Sequence, residues 1–208
     1  MKLIDLSLPI SSQLSGVSIS PAKSMEKDGW NATTLQLYSH AGTHVDAPIH
    51  FGASDQTIDQ MPLDAFYAEC WVVDCQVKEK EELTLSHLGD IKDKVQANDG
   101  LIFRTGWSSR LGHESYRNSL PAISEGLAHW MVDKKIKLIG VEPPSVADVT
   151  DLDAVTRIHL ILLGAGITIV EGLTNLELLP QPKVKILALP LKIVGGDGCP
   201  VRAVALIE

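Results

Sequence analysis

The chain has 208 residues, 45% of them hydrophobic, enough to bury a sizeable core and to exclude disorder as the default state. Its 26 acidic side chains outnumber the 18 basic ones, and no Lys/Arg cluster reverses the net charge of −8 locally, which excludes nucleic acid as a partner. The first residues carry Asp5 and no long apolar run, so we expect no signal peptide. The longest apolar stretch, 158–170, is interrupted by His159, two glycines and Thr168, so no membrane span is expected.

Short apolar or alternating runs of strand length occupy 3–8, 33–38, 71–77, 100–104, 138–141, 167–170, 185–188 and 202–207. Three segments between them read as helices. The first, 85–91, follows Thr84 as a cap. The second, 124–134, has Ile123, Leu127, Trp130 and Met131 at helical spacing. The third, 151–163, follows Thr150, with Asp153 three residues on as in a capping box, and ends at Gly164-Ala165-Gly166. Strands outnumber helices and often follow one another directly. We therefore expect an α/β protein built on a mixed β-sheet, in one domain over 1–208, not a regular βαβ repeat. Cys70, Cys75 and Cys199 form neither a C-x-x-C pair nor an even framework, and the expectation is a cytoplasmic protein with reduced thiols.

His40, His44, Asp46 and His50 fall within eleven residues, all at even separations. On an extended backbone, even spacing puts side chains on one face. On a helix Asp46 and His50 would swing far from His40 and His44, and Gly42 and Pro48 oppose a regular helix. An extended segment bent at Gly42 is therefore expected. Imidazole and carboxylate donors without a thiolate suit Zn²⁺, Mn²⁺ or Fe²⁺ at a catalytic site rather than a structural zinc finger. Pro48 pushes Ala47 to an extended conformation, and Thr43 and Gly42 shape the turn. Trp30, Trp107 and Phe51 are candidates to line a pocket, with buried packing the competing reading for each; His113 and His129 read as structural. No G-x-S-x-G elbow is present, so serine catalysis is a poor competitor.

The stretch His40-Ala41-Gly42-Thr43-His44-Val45-Asp46-Ala47-Pro48-Ile49-His50 resembles the H-x-G-T-H-x-D-x-P-x-H signature of the cyclase-like metal-dependent hydrolases, which include kynurenine formamidases, isatin hydrolases and cyclases. Further stretches resemble the family nearly end to end: Asp28-Gly29-Trp30-Asn31, Thr57 to Leu63, Arg104-Thr105-Gly106-Trp107, Gly140-Val141-Glu142-Pro143-Pro144-Ser145 with Glu in place of the usual Asp, and Asp197-Gly198-Cys199-Pro200-Val201-Arg202.

The resemblance implies a swivelling β/β/α domain, a mixed sheet flanked by helices. It implies that His40, His44 and Asp46 hold one divalent ion, Zn²⁺ or Mn²⁺, and that His159 and Glu171, twelve residues apart, complete the site. Asp46 would bridge to a second ion if two are bound per subunit. The ion would lower the pKa of a bound water from ~15.7 towards ~7, giving a hydroxide that attacks an amide carbonyl. His50 would carry protons to and from the reacting atoms. The implied substrate is a small molecule, an aryl formamide such as N-formylkynurenine, and the implied assembly is a homodimer or homotetramer. The family's N-terminal loop carries a Trp where this chain has Gln13 to Pro21 without an aromatic residue, so a lactone or cyclic amide stays open as the substrate. A metal-binding homologue without hydrolytic activity is the rival class; the intact His50, His159 and Glu171 oppose it.

Overall fold

The structure, a computed structural model, describes residues 2–180 and 182–207. In chain order its strands are β1 (Lys2–Asp5), β2 (Val17–Lys23), β3 (Ala32–Leu37), β4 (His44–Asp46), β5 (Tyr67–Asp74), β6 (Glu82–Leu83), β7 (Gly100–Arg104), β8 (Ala122–Ile123), β9 (Leu138–Val141), β10 (Thr168–Glu171), β11 (Lys183–Leu187), β12 (Gly198–Pro200) and β13 (Val204–Ile207). The α-helices are α1 (Met25–Asp28), α2 (Ile91–Lys94), α3 (Glu114–Asn118), α4 (Glu125–Asp133) and α5 (Leu152–Gly164), with single 3₁₀ turns between.

Nine strands form one sheet in the order β1-β13-β11-β5-β7-β9-β10-β4-β12. The centre, β5-β7-β9-β10, is parallel, and the pairs outside it are antiparallel. The fold is thus the mixed-sheet α/β architecture expected from the strand and helix pattern. Central strands read as unbroken apolar runs because both faces are buried. Along β7, Leu101 and Phe103 face the layer of α4 and α5, together with Ile139, Ile158, Leu162 and Ile169. Ile102 points the other way, into a second core with Val45, Val170, Phe66, Leu173 and Ile186. Helix α4 carries Leu127, Ala128 and Met131 on its buried face, and the Ser124 hydroxyl caps it by accepting from the Leu127 N–H at 3.3 Å.

Several elements differ from expectation, each for a local reason. The first strand stops at Asp5, whose side chain accepts from the Ser7 N–H at 3.2 Å and turns the chain out of the ladder. The helix expected over 85–91 is a 3₁₀ turn, Leu85–Leu88, which Gly89 ends at φ 48° before the separate short α2. Thr84 does stand at its N-cap, with its N–H donating to His87 Nδ1 at 3.0 Å. The cap of α5 is Asp151, which accepts from the Ala154 N–H at 3.0 Å. Thr150 instead spends its hydroxyl on Asp148 at 2.6 Å. Strand β5 begins four residues before the expected 71. Strand β2 lies outside the expected strands: it pairs only with β3, most of its side chains are exposed, and the short alternation Val17-Ser18-Ile19-Ser20 is cut off by Pro21.

Candidate metal centre

Strand β4 is three residues long, but it sits between β10 and β12 and carries two of the site's side chains. His44 pairs with Glu171 at the end of β10, and Asp46 pairs with Gly198 of β12. Cross-strand partners share a face, so His44 Nε2 meets Glu171 Oε2 at 3.2 Å. His159 arrives from the buried side of α5; Gly166, at φ 75°, turns that helix back into β10 and brings His159 and Glu171 to one point. Its Nε2 lies 3.5 Å from Asp46 Oδ2 and 3.4 Å from Glu171 Oε1. The segment before β4 is anchored by Thr43, whose hydroxyl donates to the Gly172 carbonyl at 2.5 Å and accepts from the Leu8 N–H at 2.8 Å. Gly172, at φ 67°, passes so close to the Gly42 carbonyl that no side chain could be carried there.

Only part of 40–50 is the extended face that even spacing implied. Residues 44–46 form the strand and Ala47 is extended, with ψ 154°. Pro48–Phe51 then coils into a 3₁₀ turn, with Pro at its start, so His50 reaches the site by turning back rather than by alternation. Its ring stacks on that of His40, with centroids 3.8 Å apart. Gly42, at φ 64°, makes the expected bend.

The two most deeply buried imidazoles are oriented alike. His44 holds Nδ1 against the Gly42 carbonyl at 3.0 Å, and His159 holds Nδ1 against the Val155 carbonyl at 2.7 Å. Each therefore presents Nε2 to the carboxylates, because a backbone carbonyl at Nδ1 holds the proton there and leaves Nε2 as the free donor for a metal. His40 has Nδ1 at 2.8 Å from Asp46 Oδ1 and Nε2 at 3.3 Å from Asp197 Oδ2. Glu171 Oε1 also accepts from the Val146 N–H at 2.7 Å.

Charge is concentrated here without solvent to spread it. Burial pulls the His44 and His159 pKa values down, but hydrogen bonds and charge from Glu171 and Asp46 outweigh it, pushing them up to about 9 and about 10. Burial alone would raise the Asp46 and Glu171 carboxyls, and the facing histidines hold both below the usual range. His50, more exposed, is lowered, chiefly by desolvation. One polar atom is left over: Asp46 Oδ2 is buried and has no hydrogen-bond partner among the described residues. An orphan carboxylate oxygen costs free energy unless something binds it.

A divalent cation fits this site. Donor atoms of His44, Asp46 and Glu171 all lie within 4.8 Å of one another, as do those of His40, Asp46 and His50, so Asp46 belongs to both groups. All are nitrogen or oxygen, the set suited to zinc or manganese. The structure thus brings together all five expected ligands and His50, but it pairs His40 with His50 around Asp46 rather than with His44.

The centre opens into a cavity of about 580 Å³. Phe51 lines it and stacks on His159, with centroids 4.1 Å apart. Trp30 is exposed and does not line it, and Trp107 is buried outside it, packed with Tyr116 and Leu120 and donating from Nε1 to the Tyr116 carbonyl at 2.9 Å. His113 and His129 are surface residues outside the cavity. Asp197 lies in a stretch that resembles the family but is not among the expected site residues. It touches His40 and lies 3.9 Å from His50 Nδ1. Its one sequence signal is the flanking Gly196 and Gly198, the latter against the His40 ring. Glu142 is structural: buried, it accepts from the Thr105 N–H at 2.6 Å and the Ser108 hydroxyl at 3.0 Å.

Residues 4–148 match the family model described as Putative cyclase. The chain is 38% identical over 176 residues to the kynurenine formamidase of Salinibacter ruber, covering 84% of this chain and 79% of that one. It is 29% identical over 211 residues to the kynurenine formamidase of Bacillus cereus, covering 97% and 95%. Among solved structures it superposes on isatin hydrolase A from Ralstonia solanacearum with a TM-score of 0.89 at 25% identity, over 100% of this chain and 92% of that one.

Proposed function

The chain belongs to the Putative cyclase family, and on that premise we propose that it is a metal-dependent hydrolase of non-peptide carbon–nitrogen bonds, of the arylformamidase kind, whose substrate is a small aryl formamide of the N-formylkynurenine type. The observation that carries this reading is the convergence of His44, His159, Asp46 and Glu171 around a buried carboxylate oxygen that no hydrogen bond satisfies among the described residues.

We assign His40, His44, Asp46, His159 and Glu171 as ligands of a divalent ion, zinc first and manganese second, with Asp46 shared if two ions bind per subunit. When bound, the ion supplies a Lewis acid for the carbonyl oxygen and a nucleophile at neutral pH. His50 is the proton carrier. It lines the cavity, and desolvation holds its pKa below the usual value, so it is neutral near pH 7 and free to accept a proton. It takes that proton as the water attacks and returns it to the leaving nitrogen. Contact with His40 and Phe51 holds its ring in place, and Asp197 beside Nδ1 favours the protonated form it passes through. Leu8, Leu14 and Val155 line the cavity with apolar surface and limit bulk water at the bond being cut.

A second reading, hydrolysis of a lactone or cyclic amide, is favoured by the full-length match to isatin hydrolase A and by the N-terminal loop without an aromatic residue. Hydrolysis of N-formylkynurenine and of isatin by zinc- and manganese-loaded protein, followed by absorbance, separates the two. Turnover of the formamide is expected; cleavage of isatin alone favours the second, and turnover of neither, or of any related amide or lactone, overturns both.

We further assign the protein to the cytoplasm as a homodimer or homotetramer. In support, all three cysteines are free and buried, and Ile19, Trp30 and Leu35 are exposed on and beside the β2–β3 hairpin. Among the described residues, no helix is long and apolar enough to cross a membrane.

A further inference from the structure

Arg117 lies in the last turn of α3 and lines the cavity above the metal centre, where it is the only Lys or Arg. The chain has five arginines, and four of them are paired: Arg104 with Asp74, Arg110 with Glu79, Arg157 with Glu125 and Arg202 with Asp5. Among the described residues Arg117 has no ion pair and donates no hydrogen bond. An acid does stand three residues before it, within helical reach, but Glu114 accepts from Asn118 Nδ2 at 3.2 Å instead. Arg117 is exposed at the mouth of the cavity, so its guanidinium is solvated rather than engaged by the protein and is available to a ligand that enters.

The rest of the wall explains what such a cation would serve. Leu8, Leu14, Leu111, Val149 and Val155 are apolar. At the floor of the cavity His44, His159 and Glu171 face one another and are assigned, with Asp46, to the ion, which leaves Arg117 as the cation of the wall away from it. A ligand with an apolar body and an acidic group, bound with its body along this wall, would meet in Arg117 a side-chain cation of the forked shape that matches a carboxylate. We propose that Arg117 is a specificity residue of this site, holding the carboxylate of a substrate whose apolar body fills the cavity and whose scissile amide faces His50. The proposal rests on the amide-hydrolase reading of the same site and adds the charge class of its substrate.

The test is calorimetric binding of 2-acetamidobenzoate and of its methyl ester to the zinc-loaded protein and to Arg117→Gln, followed by kcat/KM for 2-formamidobenzoate and for formanilide. The wild type should bind the acid more tightly than the ester. Arg117→Gln should lose about 10- to 100-fold on the acid and less than about twofold on the ester, and Arg117→Lys should recover part of the loss. The same substitution should lower kcat/KM for the acidic formamide through KM and leave formanilide unchanged. Equal losses on acid and ester, no loss on the acid, or no measurable binding of the acid would overturn the proposal. The binding arm does not depend on turnover: a selective loss of acid binding with neither formamide cleaved would uphold the anion site while the hydrolase reading fails.

Discussion

The imidazole rings of His40 and His50 stack at a centroid distance of 3.8 Å and an interplanar angle of 24°. His40 is nearly buried and fixed by carboxylates on both nitrogens, whereas His50 lies on the cavity side. The contact joins a residue assigned to the metal to one assigned to proton transfer.

His50→Ala should therefore separate the two roles. Metal content, read by elemental analysis, should match the wild type. Turnover should fall by about 10²- to 10⁴-fold, the range for loss of a positioned acid or base. Unchanged turnover would remove His50 from the chemistry, and lost metal would make it a ligand.

Glu171→Gln keeps an oxygen for the Val146 N–H but removes a charge that faces both His44 and His159. Zinc affinity should drop by more than about 100-fold, beyond the ~10- to 100-fold typical of a residue that only supports a ligand. Competition with a chromophoric chelator measures it. A smaller loss would place Glu171 behind the ligands rather than among them.

The sequence reveals the centre as far as its members are local. His40, His44, Asp46 and His50 stand out because four donors crowd into one short segment. His159 and Glu171 are too far from them in the chain to be joined by periodicity; the family resemblance links them, and the α5–β10 turn is what brings them to Asp46. Asp197 is one acid in a glycine-rich loop and gives no pattern. The central strands β7 and β9 were legible to the residue because both faces are buried. Strand β2, exposed on nearly every residue, was not.

Thr43→Val should destabilise the protein although it removes no charge. The buried hydroxyl satisfies the Leu8 N–H and the Gly172 carbonyl together, and valine satisfies neither. A loss of about 2–4 kcal/mol is expected from denaturant unfolding. A loss below about 1 kcal/mol would mean that water reaches both groups.

Acid stability should depend on Asp99, away from the metal centre. Burial raises its carboxyl pKa, but Lys183 at 2.7 Å, the Gln96 N–H at 3.0 Å and Trp71 Nε1 at 2.9 Å together hold it below the usual value. A folded-state pKa below the unfolded one means stability that is present above about pH 4 and lost as pH falls through the folded value. Asp99→Asn should lower the denaturant midpoint at pH 7 and flatten the decline below pH 4. Parallel pH profiles for the two proteins would contradict this.

The most direct measurement follows formamide hydrolysis while metal is removed and returned. Protein stripped by a chelator should lose turnover of N-formylkynurenine, and titration with Zn²⁺ or Mn²⁺ should restore it in proportion to the metal bound; the Asp46→Ala variant should neither bind the ion nor recover. Full activity in metal-free protein, or full restoration in Asp46→Ala, would contradict a catalytic metal held at Asp46.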